Sequence, residues 1–432
     1  MSHPLVAALL AWTLDGPWEA SALKERFARC IGAADLKAHP WLRDVARRLV
    51  RRPREPIEIE HTLTEAVRRV LGRELPRVRR LPLGSPRMGE APFAAWPVPT
   101  VGDLAALVEV DVRQLAWLAD LRAMNERARD DRMRHYVRRW VPKRSGQPRL
   151  LESPKPTLKR VQRQLLATVF ASWPTHDAAC GFVTGRGVLD HARAHAGRRV
   201  VVRMDLADFF TSISLARVRG LLRAVGYPDG VAGAIAGLTC VSTPHHILRE
   251  LRALTDPSTA RAMTLALRSP HLPQGAPTSP LLSNLVARRL DQRLGGLAAR
   301  FGARYSRYAD DLAFSGDAAF ERGVGRFLPR AAAVVLDEGF TPNHRKTRVM
   351  RSARRQELCG VVVNTAPGLR RTELERLEAI LVNCARHGPS AQNRDAHPDF
   401  RAHLAGRVAW VHHLAPHKGE RLRALFDRIV WP

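Results

Sequence analysis

Residues 303–316 read Ala-Arg-Tyr-Ser-Arg-Tyr-Ala-Asp-Asp-Leu-Ala-Phe-Ser-Gly, with the adjacent acids Asp310 and Asp311 between two β-rich runs. The pattern predicts a tight hairpin with the acidic pair at its tip. Two neighbouring carboxylates repel unless a cation offsets them. A merely solvated Asp-Asp turn is the bland alternative, since Asp is common in turns. A third acid weighs against it: Asp205 closes the apolar run Val200-Val201-Val202-Arg203-Met204. A buried strand that ends on a carboxylate needs a use for that charge.

Oxygen ligands suit a hard divalent ion. The expected cofactor is therefore Mg²⁺, as two ions with Mn²⁺ able to substitute, held by Asp205, Asp310, Asp311 and the main-chain carbonyl of Leu206. Two such ions about 3.5 to 4 Å apart activate a 3′-hydroxyl and stabilise a pyrophosphate leaving group. Asp208, three residues beyond Asp205, is expected to face a turn instead.

Composition fits a polyanionic partner. Lys and Arg number 70 against 41 Asp and Glu, a net charge of +29, and a compact chain so charged repels itself unless something opposite binds. Five cysteines with no C-x-x-C pair suggest neither a disulfide framework nor a paired zinc site, which fits a reducing cytoplasm. Cys240, His245 and His246 lack a spaced fourth ligand for zinc. The apolar run Pro4–Leu14 is too short to span a bilayer and reads as a buried helix, and no membrane partner is expected.

Apolar and basic residues alternate at helical spacing up to about residue 75, a Pro, Gly and Arg-rich stretch follows from Glu74 to Thr100, and Thr100 with Asp103 forms a capping-box variant ahead of two short helices. From Val200 short strands alternate with longer helical stretches, which indicates an α+β body, and helical periodicity returns from about Thr365.

The run MDLADFFTSIS (204–214), the run LPQGAPTSPLLSNL (272–285) and YADD (308–311) resemble motifs A, B and C of reverse transcriptases, in that order. HYVRRWVPKRSGQPRLLESPKPTLKRVQRQLL (135–166) is similar to their fingers motifs, and GFTPNHRKTRVM (339–350) to motif D. The resemblance covers roughly residues 95–432. It implies an RNA-directed DNA polymerase with the right-hand fold: a helical N-terminal extension and linker (1–95), fingers and a palm with an antiparallel sheet (96–364), and a helical thumb (365–432).

The same resemblance implies roles for single residues. Lys143 and Arg149, more than Arg144, would grip the triphosphate of a dNTP, since Arg offers a fork and Lys a mobile charge to phosphate oxygens. Phe210 would exclude a ribose 2′-hydroxyl, and only one of Phe209 and Phe210 can face the site because strand neighbours alternate. Gln274 would hydrogen-bond near the nucleotide, and Gly275 would allow close approach to the template. Lys346 resembles the motif D lysine near the leaving pyrophosphate, with a backbone-binding stripe as the plainer reading.

Within the family, Gln274-Gly275 and Ser279-Pro280 argue against diversity-generating enzymes, and the short C-terminal portion leaves little room for a group II maturase segment. His191-Ala192-Arg193-Ala194-His195 and Leu358-Cys359-Gly360 partly match the Asn-Ala-x-x-His and Val-Thr-Gly elements of retron enzymes. Retron membership implies a cognate noncoding RNA as template and partner, a branched RNA–DNA product primed from a 2′-hydroxyl, and a part in antiphage defence with an effector protein. Arg401, Arg407, Trp410, His413 and Lys418, with His412 and Arg421 beside them, form the candidate RNA surface. The competing readings are a reverse transcriptase with another priming mode and a catalytically idle RNA-binding scaffold. Residues 1–95 match no chemistry.

Overall fold

The computed structural model describes residues 5–6, 9, 13, 18–30, 39–51, 59–72, 88–121, 124, 128, 130–143 and 146–431. Most of the Pro4–Leu14 run, the proline-rich stretch 73–87 and Arg144 lie outside them. In chain order the elements are α1 (Ala20–Cys30), α2 (Trp41–Val50), α3 (Ile59–Leu71), α4 (Val101–Leu107), α5 (Val112–Ala119), β1 (Tyr136–Pro142), β2 (Pro148–Pro154), α6 (Pro156–Ala167), α7 (Val188–His195) and β3 (Val200–Ala207). Then come α8 (Leu215–Ala224), α9 (Asp229–Thr239), α10 (His245–Leu254), α11 (Pro257–Arg268), α12 (Ser279–Val286), α13 (Arg288–Arg300), β4 (Arg304–Tyr308) and β5 (Asp311–Gly316). The chain closes with α14 (Ala318–Asp337), β6 (Thr341–Arg351), β7 (Glu357–Leu358), β8 (Val361–Val362), α15 (Arg371–His387), α16 (Phe400–Leu414) and α17 (Pro416–Phe426).

Local sequence explains several boundaries. Thr100 Oγ1 accepts from the Asp103 amide at 3.0 Å while the Asp103 carboxylate accepts from the Thr100 amide at 3.0 Å, the reciprocal cap that starts α4. Asp111 and Ser214 cap α5 and α8 in the same way from one side. Asp208 takes φ +49, the left-handed conformation of a turn residue, as its place after a strand predicts.

Two compact units emerge, one of residues 1–173 and 214–278, the other of residues 174–213 and 279–432. The stretch 96–364 is therefore shared between them. In the first unit, α1 to α3 enclose a core of their own, including Leu23, Phe27, Leu42, Val45, Leu49, Leu63 and Val67. The β1–β2 hairpin packs Leu150 against Leu248 and Leu251 of α10 and Leu267 of α11. Glu152 of β2 is buried and bonded to Arg138 Nε (2.9 Å), Thr243 Oγ1 (3.0 Å) and His271 Nε2 (2.9 Å). Burial raises its pKa, but the His271 and Arg138 partners outweigh that and hold the carboxyl below its ordinary value.

The second unit is built on a four-stranded antiparallel sheet ordered β4-β5-β3-β6. Val200, Val201, Val202, Met204 and Leu206 of the central β3 are all buried, as a strand covered on both faces requires. Helices α15 to α17 close a separate C-terminal core around Leu377, Leu381, Leu404, Val408 and Phe426. The fold is α+β.

Arg307 of β4 is fully buried and grips Asp291 of α13 through Nε (2.8 Å) and a terminal nitrogen (2.6 Å), while its other terminal nitrogen donates to Asn284 Oδ1 (2.9 Å) and the Ala309 carbonyl (3.2 Å). Every nitrogen of this guanidinium has a partner, which is the condition for burying it. Arg307→Met is expected to cost about 3 to 5 kcal/mol by stranding Asp291, with most of the loss recovered in Arg307→Met/Asp291→Leu. Urea unfolding measures both, and a single-variant loss below about 1 kcal/mol would contradict the assignment.

Candidate active site

The register of β3 against β5 sets Asp205 directly opposite Asp311. Tyr308 pairs with Asp311 across β4 and β5, so the turn between them is the two residues Ala309 and Asp310. Ala309 adopts φ +56, a left-handed conformation that a non-glycine residue holds only when its surroundings enforce it. Contacts on more than one side enforce it. The Leu206 amide donates to the Asp310 carbonyl at 2.9 Å, and Gly181 runs so close that a Cβ there would stand 2.8 Å from the Ala309 nitrogen.

Three carboxylates thus meet where β3 ends and the hairpin turns. Burial first, then the charges of Asp311 and Asp205, push the Asp310 carboxyl up to about 6. Asp205 is buried; Lys346 Nζ of β6 donates to its oxygens at 3.0 and 3.1 Å, and Asn343 Nδ2 donates at 3.3 Å. Asp311 takes both forks of Arg203, Nε at 2.7 Å and a terminal nitrogen at 2.9 Å, and Cys359 Sγ donates to it at 3.4 Å. Among the described residues no three His, Cys, Asp or Glu side chains converge closely enough to hold one ion. Asp205 and Asp310 still suit a divalent cation, because Mg²⁺ is commonly held by one or two carboxylates together with substrate phosphates.

The other residues singled out in the sequence fall as follows. Phe209 is buried against Phe340, while Phe210 is partly exposed with its ring 5.9 Å from Phe182; both lie in the turn after β3, where strand alternation does not apply, and their rings are 5.6 Å apart. In the first unit, Lys143 and Gly146 close the β1–β2 turn through main-chain bonds, and Arg149 opens β2 with an exposed side chain. The Gln274 carbonyl accepts from the Glu152 amide at 2.8 Å. Gly275 has φ +126, and a Cβ there would meet the Glu152 carbonyl and Ser153 Oγ at 3.1 Å. Its glycine is thus demanded by the neighbouring β2 as well as by any template.

On α16 and α17, Arg401, Trp410, His413 and Lys418 are exposed and Arg407 is half-buried. Trp410 stacks on His413 with ring centroids 5.8 Å apart. His191 and His195, by contrast, are fully buried: His191 Nδ1 lies 2.7 Å from Ser306 Oγ, and His195 bridges Ser315 Oγ (2.7 Å) and Ser306 Oγ (2.8 Å). Sequence reasoning missed Arg203 and Cys359 as partners of Asp311. The signal available was faint, an arginine two residues before Asp205 and therefore on the same face of β3.

A strand-end acid facing an acidic hairpin turn in an α+β body defines a polymerase of the nucleotidyl-transferring kind, and the profile described as "Reverse transcriptase (RNA-dependent DNA polymerase)" matches residues 141–363. The chain is 44% identical to the Retron Mx65 reverse transcriptase of Myxococcus xanthus over 336 residues, 77% of this chain and 73% of that protein. It is 37% identical to the Retron Mx162 reverse transcriptase of the same organism over 74% of this chain and 65% of that protein, and 26% identical to the Retron Ec86 reverse transcriptase of Escherichia coli over 50% of this chain and 58% of that protein. The chain belongs to the retron reverse transcriptases. It is an RNA-directed DNA polymerase, with nucleic acid as its partner and divalent metal ions as the cofactor its family uses. Among the described residues no helix is long and apolar enough to cross a membrane.

The raised Asp310 pKa has a definite sign in stability. A carboxyl whose folded pKa lies above its unfolded value destabilises the fold when ionised, an effect absent below about pH 4 and complete above about pH 6. Metal-free Asp310→Asn is therefore expected to melt about 2 °C or more above the wild type at pH 7.5, with the gap narrowing as pH falls toward 4. Equal melting temperatures at pH 7.5, followed by calorimetry, would count against an ionised and uncompensated Asp310.

Proposed function

We propose that this enzyme copies a cognate structured noncoding RNA into a branched RNA–DNA hybrid by two-metal phosphoryl transfer with Mg²⁺, Mn²⁺ substituting. The observation that carries the reading is the register that sets Asp205 opposite Asp311 beside Asp310, whose carboxyl is pushed up to about 6 by burial and by those two acids, a repulsion that a cation would relieve. When bound, the ions would activate the primer hydroxyl and neutralise the departing pyrophosphate. Asp205, Asp310, Asp311 and the Leu206 carbonyl are the groups that would hold them.

Other groups supply position and selectivity. Lys346, carried on β6 to within reach of Asp205, is placed to hand a proton or a charge to the leaving group once its own partner is taken up by a cation. Lys143 and Arg149, on either side of the β1–β2 turn, present a point charge and a fork to triphosphate oxygens. Gln274 would hydrogen-bond near the nucleotide, Gly275 would allow close approach to the template, and the partly exposed Phe210 ring would select dNTP against rNTP by filling the space of a 2′-hydroxyl.

Template RNA is expected on α16 and α17. Trp410 with His413 offers a stacking platform for a looped base, and Arg401 and Lys418 offer phosphate contacts. Burial and then Arg376 lower the proton affinity of Arg407, the mark of a cation cluster that an anion would relieve. The biological role proposed for the product is antiphage defence in the cytoplasm together with an effector protein.

Two measurements test this. Mg²⁺-dependent dNTP incorporation on a primed RNA template should fall on the order of 100-fold or more in Asp205→Asn, while Phe210→Val should raise rNTP incorporation relative to dNTP by about tenfold; unaltered activity in the first variant would end the two-metal reading, and unaltered selectivity in the second would end the role of the ring. For the priming mode, DNA co-purified with the full chain should shift in size after RNase and debranching treatment. DNA that does not respond to debranching would point to an ordinary 3′-hydroxyl primer.

A further inference from the structure

We propose that Asp311 is the anchor of the acidic turn and not a metal ligand, with Arg203 as the positioning residue that holds it, leaving Asp205 and Asp310 as a two-carboxylate metal site. This rests on the metal reading above and divides labour within it.

The case begins in the strand register. Arg203 and Asp205 lie two residues apart on β3 and share a face, so with Asp205 opposite Asp311 the guanidinium is the diagonal neighbour of that second acid. The residue directly opposite Arg203 is Ala313, too small to block the approach. The outcome is a two-pronged pair, Nε to one Asp311 oxygen at 2.7 Å and a terminal nitrogen to the other at 2.9 Å. A divalent ion on either oxygen would then sit beside a permanent guanidinium charge.

A third donor closes the arrangement. Cys359, held at φ +47 between β7 and β8, points its thiol at the same Asp311 oxygen that the terminal nitrogen of Arg203 occupies, 3.4 Å away. Asp311 is therefore tied to β3 on one side and to the β7–β8 turn on the other.

The contrast with Asp205 decides which acids stay available. Its cation is Lys346, whose side chain is 58% exposed and sits on a flexible stem with a single charge, a partner that an incoming metal can displace. The Arg203 side chain is only 33% exposed and engages through a planar fork, which gives a far less exchangeable pair. The lack of any three-ligand group among the described residues agrees with this division. Two carboxylates suffice, because substrate phosphates and water fill the remaining positions of Mg²⁺.

The test uses Mn²⁺ as the probe and electron paramagnetic resonance to count free ion, on the full chain with a dideoxy-terminated primer on an RNA template and the matching dNTP. Asp205→Asn and Asp310→Asn are expected to weaken Mn²⁺ binding tenfold or more, and Asp311→Asn less than threefold. Arg203→Gln, which frees a carboxylate beside the site, is expected to tighten Mn²⁺ binding at least threefold while lowering incorporation. Arg203→Gln/Asp311→Asn removes the tightening, and Arg203→Lys, which keeps the charge, stays near the wild-type affinity. A merely structural arginine would loosen metal binding and activity together. Loss of Mn²⁺ binding in Asp311→Asn equal to that in Asp310→Asn overturns the proposal and leaves the metal site standing. Unchanged binding in Asp205→Asn and Asp310→Asn overturns both.

Discussion

The pairing of β3 with β5 places Asp205 opposite Asp311, and that register is the constraint around which the second unit is arranged. Like charges directly opposite across a strand pair destabilise a sheet, and the turn adds a third carboxylate at Asp310. The repulsion is answered from three directions. Arg203 lies on the same strand as Asp205, Lys346 arrives from β6 on the far side of β3, and Arg307 fastens the turn from beneath through the Ala309 carbonyl. Only the first two offset negative charge at the acids themselves. Arg307 spends its charge on Asp291 and acts on the turn through the main chain.

This separation of duties explains why so much of the hairpin is buried polar structure. The turn holds Ala309 in a left-handed conformation that a free two-residue loop would give to glycine or asparagine. Holding it takes the Leu206 amide, the closely apposed Gly181 and the Arg307 guanidinium. Asn284 of α12 ties these together, accepting from Arg307 and donating to the Gly181 carbonyl at 2.9 Å. The motif B text that contains Asn284 thus supports the motif C turn physically, within one unit.

What could be read from the sequence follows from distance along the chain. The hairpin and β3 were legible because their apolar patterns and the acids that end them are local, and the Thr100–Asp103 cap because its partners are three residues apart. The ion pairs were not. Arg203 meets Asp311 108 positions away, and Glu152 meets His271 across 119, so no periodicity or spacing joins them. Gly275 was legible as a glycine that something approaches closely, but the residue that approaches it in the structure is Glu152. The division into units was also hidden, since β3 enters the second unit between two stretches that belong to the first.

The two short elements that pointed to the retron class now carry a different physical meaning from a surface that meets RNA. His191 and His195 are fully buried; His191 Nδ1 meets Ser306 on β4, the two ring nitrogens of His195 meet Ser315 on β5 and Ser306, and His191 Nε2 has no partner among the described residues. Burial foremost, with Arg203 second, lowers the His191 pKa to about 4, so this imidazole is neutral at physiological pH and suited to a hydroxyl partner inside the sheet. Cys359 of the second element reaches Asp311. Both elements therefore touch the strands that carry the acidic turn, one through Ser306 and Ser315 and the other through Asp311. An RNA contact by either histidine would require the α7–β4 packing to open, because both rings are fully buried and bonded to β4 through Ser306.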